Sequence, residues 1–329
     1  MVKTFIKDLL QTCKIIVRPN DVGVKSERTK ALFAVALVCI LWGTTWLASK
    51  IGVNHMPALQ LSGLRHFIGG AIYVVFFIAR KIPFPSKKQF IRILWMSVVM
   101  FVISNGFSVI SVVYIPSGLG AVIGAMTPLW LVIFSLITIR GTKFNATTLI
   151  GMILGFGGII VVFYDYLEEM MGSDFPLGIF FGVVASMTWA VGTLLTAKHS
   201  KDMDPYVSLG WQMLISGVIL TGLSYATGQH KDVFTISPEG WYAIIYLVLV
   251  GSIIAFTAFV YALKRLPAAQ VSIHSYINPI VAILIGYSIH NEKLTRFVIT
   301  GTLVTLVGVY LVNTGFKRKI LNNQEVKAA

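Results

Sequence analysis

Ten long apolar runs joined by short polar stretches constrain this chain more than any other feature. They lie near 31–49, 59–79, 91–111, 116–138, 147–163, 176–197, 207–227, 240–262, 267–289 and 297–315. A helix rises about 1.5 Å per residue, so roughly 20 apolar residues cross the ~30 Å hydrocarbon core of a bilayer. Backbone polar groups have no water to bond there, and a helix satisfies them within one segment. Only 12% of the residues are charged, about half the share that wets a soluble domain. The reading is an all-α integral membrane protein of ten transmembrane helices, with the lipid bilayer as its solvent.

The net charge of +14 raises the question of a nucleic-acid partner. The basic residues sit between the apolar runs, and no basic face interleaved with aromatics appears, so none is expected. Of the 27 Lys and Arg, 22 fall on the side that carries the N-terminus. Lys50, Lys231, Lys293 and Arg296 fall opposite, and Arg65 lies within a run. Basic loops favour the cytosol, so both termini are expected there and the number of spans is even. This implies a multi-pass protein of the plasma membrane, the inner membrane if the source is bacterial. Cys13 and Cys39 form no disulfide framework and have no metal-ligand spacing. Within the tail at 3–18, apolar residues recur at helical spacing, and an interfacial amphipathic helix and a flexible basic tail both remain open.

The two halves resemble each other at a period near 150 residues. Pro116 and Pro128 in "YIPSGLGAVIGAMTPLW" recur 151 residues later as Pro267 and Pro279 in "RLPAAQVSIHSYINPIV". Gly151 and Gly158 recur 150 residues on as Gly301 and Gly308, and Trp42 recurs 147 residues on as Trp189. A repeat of five spans is odd-numbered, so its second copy sits upside down, giving two inverted five-helix repeats.

The Trp-Gly of span 1, Arg65 of span 2, the double-proline span, the "NEKL" from Asn291 to Leu294 and the Gly-rich last span occur in order. On these, over roughly 31–315, the chain resembles the ten-span, two-repeat EamA-type members of the drug/metabolite transporter superfamily. The division implied is a basic tail (1–30), a first EamA-type repeat (31–163), an external loop (164–175), a second repeat (176–315) and a basic tail (316–329). The resemblance further implies that spans 1–4 and 6–9 surround a central cavity while spans 5 and 10 support it.

Helices broken at matching places of two repeats are the best sequence pointer to a transport site. Here they are Thr127-Pro128 and Asn278-Pro279; a purely structural kink is the alternative, since a proline deletes a backbone bond wherever it sits. Gln270, His274 and Asn278 recur every four residues and share a helix face, which is expensive against lipid and so is expected to line a cavity. Ser97, Ser104, Ser108 and Ser111, with Asn105 alongside, form a milder stripe on span 3 that also suits packing between helices. Arg65 is the sole formal charge inside a span. It reads either as an anchor for a carboxylate or phosphate or as a snorkelling residue, and Gln212 is its repeat counterpart. Trp42 and Trp189 lie mid-span, where an interfacial aromatic belt does not reach, and are expected to wall the cavity.

All 13 acidic residues lie in tails or loops. Any proton coupling is therefore expected to use no intramembrane carboxylate, and His274 is the coupling candidate. No phosphate-binding G-x-x-x-x-G-K-[ST] and no H-E-x-x-H occurs. No catalytic residue, metal or cofactor is expected. The expected function is a secondary transporter of small polar organic metabolites, amino acids or related compounds, working by alternating access, with export favoured by family analogy. An intramembrane enzyme or a channel of the same architecture is the alternative. The oligomeric state does not follow from these patterns.

Overall fold

A computed structural model describes residues 22–138, 146–171, 174–199, 203–266, 271 and 273–328. Among them are only helices and short connections, with no strand. In chain order these are α1 (Val22–Val53), α2 (Ala58–Ala79), α3 (Lys87–Tyr114), α4 (Ser117–Gly124), α5 (Thr127–Thr138) and α6 (Ala146–Tyr164). The short α7 (Leu167–Met171) follows, then α8 (Phe175–His199), α9 (Pro205–Ala226), α10 (Pro238–Leu263), α11 (His274–His290) and α12 (Arg296–Ala328). Among the described residues nine segments are long and apolar enough to cross a membrane, with Ser117–Phe134 of α4 and α5 counted as one. The tenth, α11, has 17 residues and so reaches about 25 Å.

The ends of the expected spans move in two places. α1 begins at Val22, inside the stretch read as tail, and α12 continues through 316–328. Residues 1–21, which hold the amphipathic pattern, lie outside the described residues. Helix starts carry ordinary capping chemistry. Ser86 and Gln89 form a reciprocal capping box at α3, and the Asp204 carboxylate accepts from Tyr206 N (2.8 Å) and Val207 N (3.3 Å) at α9. Each satisfies backbone N–H groups that a first helical turn leaves without partners.

The inverted repeat is written in two glycine crossings. A Cβ on Gly158 would stand 2.6 Å from Gly301 O, and one on Gly151 would stand 2.7 Å from Gly308 O. Low numbers on α6 thus meet high numbers on α12, so the helices are antiparallel. Exchanging each glycine for its repeat mate maps one contact onto the other. The same holds for α2 and α9, where Gly70 packs on the Leu214 backbone and Gly217 on the Phe67 backbone, both pairs being related by 147 residues. Only glycine admits backbones this close, as in small-residue membrane packing generally.

Large apolar side chains such as Ile72, Val75, Phe76, Ile153, Ile160 and Leu303 stay exposed on the outside of the bundle. A belt of this kind is unfavourable in water and suits lipid. The interior holds fully buried hydroxyls that bridge helices: Ser97 Oγ donates to Gln212 O (3.0 Å), and the nearly buried Ser104 Oγ donates to Ala185 O (2.8 Å).

Two departures from plain α-helix also recur with the repeat. α3 is π-helical over Val98–Asn105 and α10 over Leu247–Ile254, 149 residues apart at both ends. A π turn leaves carbonyls off the regular ladder, and side chains take some of them. Asn105 Nδ2 donates to Met100 O (2.8 Å), Trp42 Nε1 to Gly251 O (3.2 Å) and the Tyr73 hydroxyl to Ile253 O (3.1 Å). Such segments concentrate at functional sites.

Candidate functional site

Between the two repeats lies a cavity of about 150 Å³. At about 10–15 Å³ for each water-sized group, it has room for roughly ten of them. Its lining comes from α1 (Trp42, Thr45, Trp46, Ser49), α2 (Arg65), α3 (Ser104, Asn105, Ser108, Val109), α8 (Gly182, Ala185, Ser186, Trp189), α10 (Phe256) and α11 (His274, Ser275, Asn278, Pro279). Ala121, Gly124, Ala125 and Thr127 complete it at the break between α4 and α5.

The proline signals act differently in the two repeats. In the first, the helix stops at Gly124, turns through Ala125-Met126 and restarts at Thr127. Pro128 has no N–H to give Gly124 O, and the Thr127 hydroxyl donates to that carbonyl instead, at 2.8 Å. In the second, α11 runs through Pro279 without stopping. There the Asn278 amide, oriented with its nitrogen toward both acceptors, bonds His274 O (3.0 Å) and Cys39 O (2.8 Å), tying α11 to α1.

Trp42 is the hub of the aromatic wall. Its ring stands 4.9 Å from Phe256, 5.0 Å from Phe259, 5.1 Å from His274 and 6.2 Å edge-on from Trp189, centroid to centroid. Aromatic pairs prefer such edge-to-face geometry, which fixes the rings as rigid walls. Trp46 lies over Gly120 and Gly124, where added Cβ atoms would meet its ring at 2.8 and 3.0 Å. His274 is half-buried between Trp42 and Phe259, and its Nδ1 has no hydrogen-bond partner among the described residues.

Arg65 is 6% exposed, and its Nε donates to Ser252 Oγ at 3.0 Å on the π segment of α10. Its Nη2 lies 3.1 Å from where a Gly251 Cβ would be, so the glycine leaves the guanidinium its space. Among the described residues no carboxylate is paired with this cation, and Arg65 belongs to the cavity lining. Burying an unpaired charge is costly, so a cation in this position calls for an anionic partner or for water.

Most of the residues singled out in the sequence come together here: Trp42, Arg65, Asn105, Thr127, Trp189, His274, Asn278 and Pro279 all line the cavity. Gln212 does not. It is buried within α9, its Nε2 donating to Ser208 Oγ at 2.7 Å, and α9 contributes no lining residue. Span 7 thus stands in the bundle without contributing a residue to the cavity lining. Pro128 sits at the start of α5, and Gln270 lies outside the described residues. Phe256, Thr45, Ser49 and Ser275 were missed, because ordinary apolar and hydroxyl residues in a membrane helix carry no mark of which way they face.

Polar groups outside the cavity hold the face opposite the N-terminus together. Lys50 Nζ donates to Val112 O (2.7 Å), Val113 O (3.3 Å) and Ile115 O (3.2 Å) at the C-terminal end of α3. Glu292 caps α4: Oε1 accepts from Ser117 N and Oγ, both at 2.7 Å, and Oε2 from Gly118 N at 3.0 Å. Lys293 bonds Glu169 at 2.5 Å, and this bond holds the Glu169 carboxyl below its ordinary value of 4.5 while raising the Lys293 ammonium. No group of three or more His, Cys, Asp or Glu is placed to hold a metal ion among the described residues.

Comparison with known proteins agrees with this architecture. The chain is 28% identical to the uncharacterized inner membrane transporter YedA of Escherichia coli strain K12, over 87% of this chain and 90% of the relative. It is 24% identical to the uncharacterized transporter YoaV of Bacillus subtilis strain 168, over 88% and 99%. A solved crystal structure superposes with a TM-score of 0.61 over 87% of this chain and 97% of the other, at 17% identity, and so shares the fold. The model of the EamA-like transporter family matches twice, at residues 29–164 and 176–314, one match per repeat. The chain belongs to the EamA-like transporter family.

Proposed function

We propose that this protein is a secondary transporter that moves small polar organic metabolites, amino acids or related compounds, across the plasma membrane, in the direction of export. The observation that carries the reading is a polar and aromatic cavity set between two inverted repeats, with one unpaired cation in its wall. In such folds, rocking of one bundle against the other opens a fixed central site to each side in turn. The break at Ala125-Met126 and the paired π segments are the candidate hinges for that motion. His274 is the candidate for proton coupling. The N-terminal face, with its 22 basic residues, is assigned to the cytosol.

The test is counterflow in proteoliposomes preloaded with unlabelled metabolites. Saturable, accelerated uptake of label against an internal pool supports a carrier, whereas flux that follows the gradient without saturation indicates a channel. Reporter fusions fix the topology: those after Lys88 and Ala329 are expected on the cytosolic side and one near Glu169 outside.

A further inference from the structure

We propose that the cavity is a site for organic monoanions, with Arg65 taking a carboxylate and the Trp42–Trp189–Phe256 wall taking a flat apolar body, and with no subsite for an ammonium group. This rests on the transport reading above and narrows its substrate class to organic acids, setting aside the free amino acids, whose ammonium group finds no partner here.

The charge inventory comes first. With its Nε spent on Ser252 Oγ, Arg65, a residue of the cavity lining, has its two Nη groups left to offer a ligand. These form a planar fork of N–H donors matching a carboxylate in bidentate fashion. Nothing of opposite sign balances it among the described residues: no Asp or Glu lines the cavity. A bound ammonium would therefore meet a fixed like charge and no carboxylate. An aromatic face can attract a cation, but here the wall carries the guanidinium at its end.

A dianion fits no better. A phosphate monoester calls for a second cation, and among the described residues no Lys or Arg other than Arg65 lines the cavity, Lys50 being committed to three carbonyls at the end of α3. One positive charge suits one negative charge.

The apolar part of the ligand follows from the walls. Trp42 Nε1 bonds Gly251 O while Arg65 Nη2 lies against the same glycine. The cation and the tryptophan wall therefore converge on one residue of α10. A ligand that reaches Arg65 with its carboxylate lays its body along Trp42, where Trp189 and Phe256 stand edge-on and tilted.

The experiment uses the purified full chain in lipid nanodiscs, with tryptophan fluorescence as readout. Four probes that share a benzyl group are titrated: phenylacetate (anion), phenylacetamide (neutral and isosteric with it), phenethylamine (cation) and phenylalanine (zwitterion). Phenylacetate is expected to bind at least about tenfold more tightly than each of the others, a difference of about 1.4 kcal/mol. Arg65→Gln is expected to bring phenylacetate down to the level of the amide while leaving the amide unchanged, and Arg65→Lys to keep part of the preference. If Arg65→Gln does not fold, the acid-to-amide ratio of the wild type decides alone. Equal affinity for acid and amide, tighter binding of the amine or zwitterion, or no binding of any probe overturns the proposal. Counterflow separates this from the transport reading. Binding of the acid with no counterflow of any solute keeps the site and sinks the transporter. Counterflow with no preference for the acid does the reverse.

Discussion

Glu292→Gln tests how the two repeats are held at the face opposite the N-terminus. Glu292 follows Asn291, which ends α11 in the left-handed conformation at φ 53 and so turns the chain back toward α4. The carboxylate accepts three bonds from the first turn of α4, at 2.7, 2.7 and 3.0 Å. In glutamine the carbonyl oxygen keeps Ser117, but the amide nitrogen then points an N–H at the Gly118 N–H. The loss is one bond to a charged acceptor, worth about 1.5–3 kcal/mol, and the favourable meeting of an anion with a helix N-terminus, about 0.3–1 kcal/mol. Glu292 is half-buried, so the lower end applies and the cost is about 2 kcal/mol. Glu292→Ala removes all three bonds and is expected to cost about 3–4 kcal/mol. At about 2–4 °C per kcal/mol for chains of a few hundred residues, the glutamine variant is expected to melt about 4–8 °C below the wild type in nanodiscs at a fixed scan rate. The alanine variant is expected to melt lower still. If both melt within about 1 °C of the wild type, the cap contributes nothing and the reasoning is wrong.

Other expectations follow from single contacts. Gly158→Ala places a methyl group against the backbone of α12, while Gly157 beside it faces open space. The first is expected to cost at least about 1–3 kcal/mol and the second to be neutral or stabilising by up to about 1 kcal/mol, read as thermal midpoints; similar midpoints would refute the crossing. The Lys293–Glu169 pair is exposed and worth under about 1 kcal/mol. Because Glu169 titrates below its ordinary 4.5, the contribution is present above that pH and is lost as pH falls through the lowered value. The stability gap between wild type and Glu169→Gln is therefore expected to close in acid, and a gap that widens would contradict the sign. His274→Asn in vesicles with an imposed pH gradient is expected to abolish acceleration by the gradient while sparing counterflow. A wild type indifferent to the gradient removes His274 from any coupling role.

Much of the architecture was legible because hydropathy and repetition are one-dimensional properties. A run of apolar residues announces a span whatever its neighbours do. Repeat spacings near 150 residues in Trp42, Pro128 and Gly151 announce a second, inverted copy once the spans per copy are counted as five. Arg65, His274 and Asn278 could also be picked out, because a polar side chain within a lipid span has few tolerable places to go. The Glu292 cap was foreshadowed only by its place in "NEKL"; its target, Ser117, lies 175 residues away.

What the sequence by itself determined, then, is the number of spans, their inversion and the sparse set of polar side chains that must avoid lipid. Which of these meet was decided only by tertiary structure. Arg65 and Gln212 occupy equivalent repeat positions, yet one edges the cavity and the other is sealed within α9. The π segments of α3 and α10 carry no proline to betray them, and Asn105 and Ser252 lie within them. The reason is geometric. Hydropathy fixes that a helix lies in the membrane, but its rotation about its own axis follows from where neighbouring backbones touch. In this chain that choice rests on glycine contacts such as Gly70 with Leu214 and Gly158 with Gly301, which join residues far apart in the chain.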